Sequence, residues 1–377
     1  MVNIKVPYLD LKAQYHSIKQ EIDDAVAHVL ESCQFVLGPE VAEFEKTFAV
    51  YCETAHCIAL NSGTSALHLA LLAAGIQPGD EVVTVPFTFV ASVATILYSG
   101  AKPILVDIEP HTFNLNPAAI EKAISPRTRA ILPVHLYGHP ADMDPIMEVA
   151  RRHNLVVIED AAQAHLAKYK GRSVGSIGDM GCFSFYPTKN LGAYGEGGAI
   201  TTSNPEYAAK LRMLRDWGQD RKYNHLLHGY NYRMEGLQGA ILRVKMRHLE
   251  KWTEARRTIV RKYNKLLAET DLVLPTERPW TRHAYHLYTV RVKNRAAMQA
   301  ALLRGGIQTG IHYAAPVHLQ PAYAELGYGP GSLPESERAA NEVLSLPLYP
   351  ELTDSQVQAV AETIAALDVR QDIKIRK

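Results

Sequence analysis

The 377-residue chain carries 40 Lys and Arg against 39 Asp and Glu, so no overall field favours nucleic acid or an anionic membrane, and any anion site must be built locally. With 47% hydrophobic and 21% charged residues it has the balance of a folded globular protein, and its length fits one large lobe plus a smaller one. No apolar run reaches the roughly 20 residues of a membrane span, and MVNIKVPYLDLKAQYHSI lacks the apolar stretch and cleavage site of a signal peptide, so a cytoplasmic location is expected.

In chain order, Leu11 to Ser32 reads as an amphipathic helix. Cys33, Cys52, Cys57 and Cys182 form no CxxC pair and are expected as buried thiols, with neither a disulfide framework nor a zinc site. From Cys57 to about Thr202 short apolar runs alternate with helical stretches. Strands are expected at Glu81 to Pro86, Pro103 to Asp107, Ala130 to His135, Leu155 to Asp160, Gly181 to Tyr186 and Gly198 to Thr202, in a largely parallel sheet covered on both faces. Glu206 to Trp217 reads as a helix, and Glu235 to about Leu267 as one or two more, whose Lys and Arg make a solvated face. Beyond a turn-rich stretch from Pro275 to Arg282, the pattern predicts a strand at His286 to Val292, a helix at Arg295 to Arg304, a strand at Gln308 to Tyr313 and a final helix at Asp354 to Leu367. Residues 1–255 are expected to form the large domain and 256–377 a smaller C-terminal α/β domain.

Three segments carry chemistry. In ALNSGTSALHL a strand runs into small polar residues and then a helical pattern, so backbone N–H groups, a helix dipole and short hydroxyls can converge on a phosphate, with Gly63 allowing close approach; the alternative is an ordinary capped helix. No GxxxxGK[ST] or GxGxxG occurs, which removes the main support for an NTPase or a Rossmann dehydrogenase. In LVVIEDAAQ the aliphatic run puts Asp160 at the C-terminal end of a buried strand, where ligands of open α/β sheets gather. An aspartate there can pair with a protonated pyridine nitrogen, though a helix cap or a metal ligand fits the same pattern. In CFSFYPTKNLG a strand breaks at Pro187 and presents Lys189 in a Gly-flanked loop. A desolvated lysine of this kind forms a Schiff base with an aldehyde cofactor and leaves a base beside the substrate carbon; a solvated surface lysine is the plainer reading.

The ordered set NSGTSAL, VPFTFVAS, VIEDAAQAHLA, CFSFYPTKNLGAYGEGGAI, HGYNYRMEGLQGAIL and GIHYAAPVHLQPAY resembles the sugar-nucleotide aminotransferases of the DegT/StrS group, fold-type I enzymes dependent on pyridoxal 5'-phosphate (PLP). The resemblance spans nearly the whole chain. It implies a large domain with a mostly parallel sheet covered by helices plus a smaller C-terminal α/β domain. It also implies that Lys189 carries PLP, that Asp160 partners the ring nitrogen, and that Gln163 lies near the phenolic oxygen. By the same resemblance Ser62, Gly63, Thr64 and Ser184 cradle the phosphate, and Phe89 stacks on the ring, although its pattern suits core filling equally. Asn231 matches a residue offered to the cofactor phosphate of a neighbouring subunit, so a homodimer with shared active sites is implied. Tyr186, Tyr223, His312 and Tyr313 match positions that contact the nucleotide sugar or its pyrophosphate, or else they simply pack. Dehydratases of this family carry His where Lys189 stands, so the lysine favours transamination, with pyridoxamine 5'-phosphate as the intermediate form.

The expected substrates are an amino-acid donor, L-glutamate by resemblance, and a nucleotide-linked keto-sugar. RKYNH to RVKMRHLEKW is more similar to members that aminate C-3 of a dTDP-linked 3-keto-6-deoxyhexose than to those acting on a 4-keto sugar. A UDP-linked acceptor, a non-catalytic PLP-binding regulator, and an amino-acid enzyme using Arg233 to hold a substrate carboxylate are the rival readings.

Overall fold

A computed structural model describes residues 5–375, with side chains described to residue 367. Three helices lead the chain: α1 (Leu11–Ser17), α2 (Lys19–Ser32) and α3 (Pro39–Tyr51). The expected single helix at 11–32 is broken at Ile18, whose backbone leaves the helical region (φ −130°, ψ 18°) while its side chain joins Ile22, Ile241, Val244 and Trp252 in a buried cluster. α3 went unanticipated; its apolar stripe of Val41, Phe44 and Phe48 is buried. Cys52, Cys57 and Cys182 are buried free thiols, whereas Cys33, at the left-handed C-cap of α2, is exposed and corrects the expectation for that residue.

The large sheet has seven strands: β1 (His56–Leu60), β2 (Glu81–Thr84), β3 (Lys102–Leu105), β4 (Thr128–Ile131), β5 (Val156–Asp160), β6 (Met180–Ser184) and β7 (Gly198–Thr202). Their spatial order is β1-β7-β6-β5-β4-β2-β3. β3, β2, β4, β5 and β6 pair in parallel, and β7 runs antiparallel to both β6 and β1. Side chains alternate across the pleat. Ile58, Leu60, Cys182 and Ile200 face the core that holds α4 (Gly63–Ala73), and Cys57, Ala59, Phe183 and Ala199 face α3 and the long helix described next.

That helix runs unbroken for 31 residues, Gly236–Leu266, and buries a face along its whole length. Leu242, Met246 and Leu249 pack with α3 under the sheet, whereas Ile259, Val260 and Tyr263 belong to a second core formed by residues farther along the chain. Val6 also joins that second core. There, strand Tyr288–Arg291 pairs antiparallel with Val343–Leu346, beside helices Arg295–Arg304 and Asp354–Ile375. The strand expected at Gln308 to Tyr313 does not form. Gly310 makes an isolated bridge to Ser345, and the following backbone turns inward, so that the His312 carbonyl takes the Tyr137 hydroxyl. Ser345 thus pairs with Thr289 in the two-stranded ladder and bridges Gly310, the one residue of the expected strand that pairs with it.

One buried ionic group sits under the future site. Glu159 faces away from Asp160 and accepts N–H bonds from Gly175 (2.8 Å), Ile177 (2.8 Å) and Gly178 (2.7 Å), while His135 Nε2 lies 3.0 Å from it. Because His135 Nδ1 accepts the Ala141 N–H at 2.9 Å, the ring proton is on Nε2 and points at the carboxylate. Glu159→Leu would strand all four donors, and urea denaturation is expected to register a loss of about 3–5 kcal/mol. A variant within about 1 kcal/mol of wild type would refute that account of the turn at 175–178.

Candidate active site

β5 and β6 are parallel neighbours with Asp160 opposite Cys182, so the ends of both strands open on the same edge of the sheet. Asp160 is 5% exposed; its carboxylate accepts Ser92 Oγ at 2.7 Å and the Ala162 N–H at 3.1 Å. After Ser184 the chain makes a loop that returns as β7. Phe185 N–H donates to the Gly197 carbonyl (2.7 Å), Ala193 N–H to that of Phe185 (2.8 Å), and Lys189 N–H to that of Tyr186 (2.8 Å). This doubled-back loop brings the Lys189 amine into the electrostatic field of Asp160.

Burial governs both groups. It lowers the Lys189 pKa to about 8, against a partial opposing pull from Asp160. It raises that of Asp160, with Ser92, the Ala162 amide and the Lys189 charge working in the other direction. Three histidines share the neighbourhood and are kept neutral by burial, with Lys189 adding to the effect: His165 at about 3, His312 at about 4, and His286 well below its usual value. No protonated imidazole therefore competes with the amine.

The start of α4 lies against the same edge. Ser62 caps the helix by accepting the Ser65 N–H at 3.0 Å, and its carbonyl takes the Ala66 N–H. The amides of Gly63 and Thr64 have no protein acceptor among the described residues, which is the donor pair an anion requires. A Cβ on Gly63 would stand 2.6 Å from Ser184 Cβ, so only glycine lets the helix start approach the end of β6 this closely.

Gln163 is buried, accepting the Tyr137 N–H (2.7 Å) and donating to the Tyr313 hydroxyl (3.1 Å). Tyr313 in turn lies 6.1 Å, centroid to centroid, from Phe89, which is 55% exposed and therefore does not fill the core. His312 stacks on Tyr8 and bonds Ser345 Oγ at 3.0 Å. Tyr186 is exposed within the lysine loop. Asn231 is also exposed, and its backbone runs beside Asn61 and the α4 start, with Asn61 Nδ2 donating to its carbonyl at 3.5 Å. Tyr223 stands apart: it is 81% exposed in a hairpin of residues 219–225, with Lys222 over its ring and its N–H on Gln219.

Sequence reasoning missed Ser92, Tyr137, His165, Asn190 and His286. Ser92, His165 and Asn190 lay inside quoted motifs, and nothing local distinguishes a serine that will meet a carboxylate from one that caps a helix. Asn190 bonds the Ala284 carbonyl (2.9 Å) and His286 (3.3 Å), contacts that bridge about a hundred residues of chain and leave no local signal. Arg233, the candidate for a substrate carboxylate, is engaged by Asp216 at 2.8 Å.

The family profile described as DegT/DnrJ/EryC1/StrS aminotransferase matches residues 16–365. The chain belongs to this family. It is 50% identical over 365 residues to a "pleiotropic regulatory protein" of Geobacillus stearothermophilus, covering 96% of this chain and 98% of that one. It is 47% identical over 371 residues to the dTDP-3-amino-3,4,6-trideoxy-alpha-D-glucose transaminase of Streptomyces venezuelae, covering 98% and 97%. Among solved structures, S. venezuelae DesV in complex with a ketimine intermediate superposes with a TM-score of 0.95 at 47% identity, covering 97% of this chain and 98% of that chain. Ntda of Bacillus subtilis with bound cofactor PMP superposes at 0.90 with 35% identity, covering 96% and 85%.

The lowered lysine pKa gives a direct expectation. In cofactor-free protein, the rate at which Lys189 reacts with a small aldehyde, mapped by mass spectrometry, should rise with pH to half its maximum near 8, far below the ordinary value of 10.5. The Asp160 charge holds the lysine pKa up, so Asp160→Asn should move that midpoint to lower pH. An unmoved or higher midpoint would contradict the pairing.

Proposed function

We propose that this protein is a PLP-dependent aminotransferase that moves an amino group from an amino acid, L-glutamate, to a dTDP-linked 3-keto-6-deoxyhexose. The observation that carries the reading is the buried amine of Lys189 brought into the field of the Asp160 carboxylate at the open edge of a mostly parallel sheet. Family membership and the names of the S. venezuelae relatives support the reaction class and the C-3 amino sugar. A 4-keto or UDP-linked acceptor has less support. A purely regulatory role fits the name of the Geobacillus relative, but the lysine and carboxylate that catalysis needs are both in place here.

The residues fit the cofactor. Gly63 and Thr64 amides with the Ser62 and Ser184 hydroxyls would hold its phosphate, Asp160 its ring nitrogen, Gln163 its phenolic oxygen, and the open face of Phe89 its ring. When bound, PLP supplies an electron sink that makes the carbon bearing the amino group acidic. Lys189, uncharged above about pH 8, is suited to take the proton from that carbon and to deliver it to the carbon on the other side of the nitrogen, two bonds away. Asp160, made costly to ionise by burial, is steadied by a cationic partner, which a protonated pyridine provides. Two such half-reactions, first with the amino donor and then with the keto-sugar, complete the transfer.

His312, which feels the Lys189 charge, Tyr313, bonded to Gln163, and the exposed Tyr186 of the lysine loop are assigned to the nucleotide sugar. Tyr223, 81% exposed on its own hairpin, is assigned to the active site of a second copy. The exposed Asn231 and the apolar surface of Leu30, Phe35 and Val36 favour such a homodimer. Among the described residues no helix is long and apolar enough to cross a membrane, and the free cysteines suit the cytoplasm.

Incubating the enzyme with L-glutamate and a panel of keto-sugar nucleotides, with products read by mass spectrometry, should give fastest amination of the dTDP-linked 3-keto sugar. Lys189→Ala should fold, yet lose at least about 10²- to 10⁴-fold in turnover together with the visible absorbance of the bound cofactor. A yellow, active Lys189→Ala protein would end the assignment.

A further inference from the structure

Outside the pocket itself, the least expected side chain in the fold is Lys245, midway along the 31-residue helix. It is 1% exposed, and no carboxylate lies within ion-pair distance of it among the described residues. Its Nζ donates instead to the Gly192 carbonyl at 2.5 Å and sits 4.5 Å above the centre of the Tyr194 ring. Burial pulls its pKa down to about 7, with some relief from Glu351. An unpaired buried ammonium is costly, and a methionine would fill the same space without that penalty.

The contact it makes is on the lysine loop. Two helical turns earlier on the same face, Gln238 Oε1 accepts the Tyr194 N–H at 3.0 Å. On the far side of the loop, Asn190 is tied to Ala284 and His286. Between these anchors Gly192 folds back on Pro187 so closely that a Cβ would stand 2.3 Å from the Pro187 carbonyl oxygen. A hold on the Gly192 carbonyl is thus passed through this contact to the backbone carrying Lys189.

We propose that Lys245 is a positioning residue for Lys189: its amino group donates to the Gly192 carbonyl and, with Gln238, pins the loop to the long helix so that the reactive amine stands at a fixed place. This rests on the reading above that Lys189 carries the cofactor. Lys245 touches neither substrate nor cofactor, and its effect is geometric. Displacing a reacting group by about an ångström costs up to about 100-fold in rate, whereas substrate affinity depends on other residues.

The test compares Lys245→Met and Lys245→Gln with wild type. Lys245→Met should lower kcat by about 10- to 100-fold while changing KM for the keto-sugar less than about threefold. In cofactor-free protein, hydrogen exchange at the amides of residues 189–195 should quicken, with β4 and β5 unchanged. Lys245→Gln keeps a donor and should recover part of both effects; if the methionine variant does not fold, the glutamine variant carries the same measurements. Unchanged exchange at 189–195 with wild-type kcat would overturn the proposal, and so would exchange quickened evenly through the sheet. Borohydride trapping of wild-type holoenzyme with peptide mapping judges the underlying reading separately. A pyridoxyl label away from Lys189 defeats that assignment, whereas a label on Lys189 with unaltered exchange defeats the role of Lys245 alone.

Discussion

The structure depends on keeping an amine and a carboxylate close together in a place where water cannot screen them. Lys189 and Asp160 each pay for burial with a shifted pKa, and the shifts run in opposite senses, toward the neutral form of both. Each partly restores the charge of the other. The pair is therefore balanced, and a cationic group brought up to Asp160 would tip the carboxylate to its ionised form.

Much of the surrounding chain serves to keep that balance undisturbed. The three histidines that feel the Lys189 charge are kept neutral by burial, and so add no charge beside it. Glu159, next to Asp160 in sequence, points to the opposite face, where three amides and His135 absorb its charge. Adjacent carboxylates on one strand are separated by the pleat, one into a cage of amides and the other onto the candidate site.

The strands of the large sheet were legible because buried parallel strands write themselves as short aliphatic runs, as in LVVIED, and the placement of Asp160 followed from that run alone. The helix start at Gly63 was likewise visible, since small polar residues between a strand and an apolar helical pattern have few other uses. Reading failed where long-range contact overrode local pattern. Gln308 to Tyr313 has a strand-like composition, but its pairing with Val343–Leu346 stops at the single Gly310 bridge and its backbone is drawn toward Tyr137. Ile18 breaks a helical pattern because a buried cluster on another helix claims its side chain. Lys245 read as one more charge on a solvated face, and only the fold turns that face inward.

The reversed strand β7 has a consequence for how the site is assembled. Since β6 and β7 are joined as a hairpin, the loop bearing the amine closes through contacts between near neighbours in the chain, such as Phe185 with Gly197. His312 and the α4 start must arrive from far away in sequence. Local closure is entropically cheap and fast, while remote closure is slow. The loop bearing the amine therefore closes at small entropic cost on its own strand pair, whereas the walls of the site are held by contacts between distant parts of the chain.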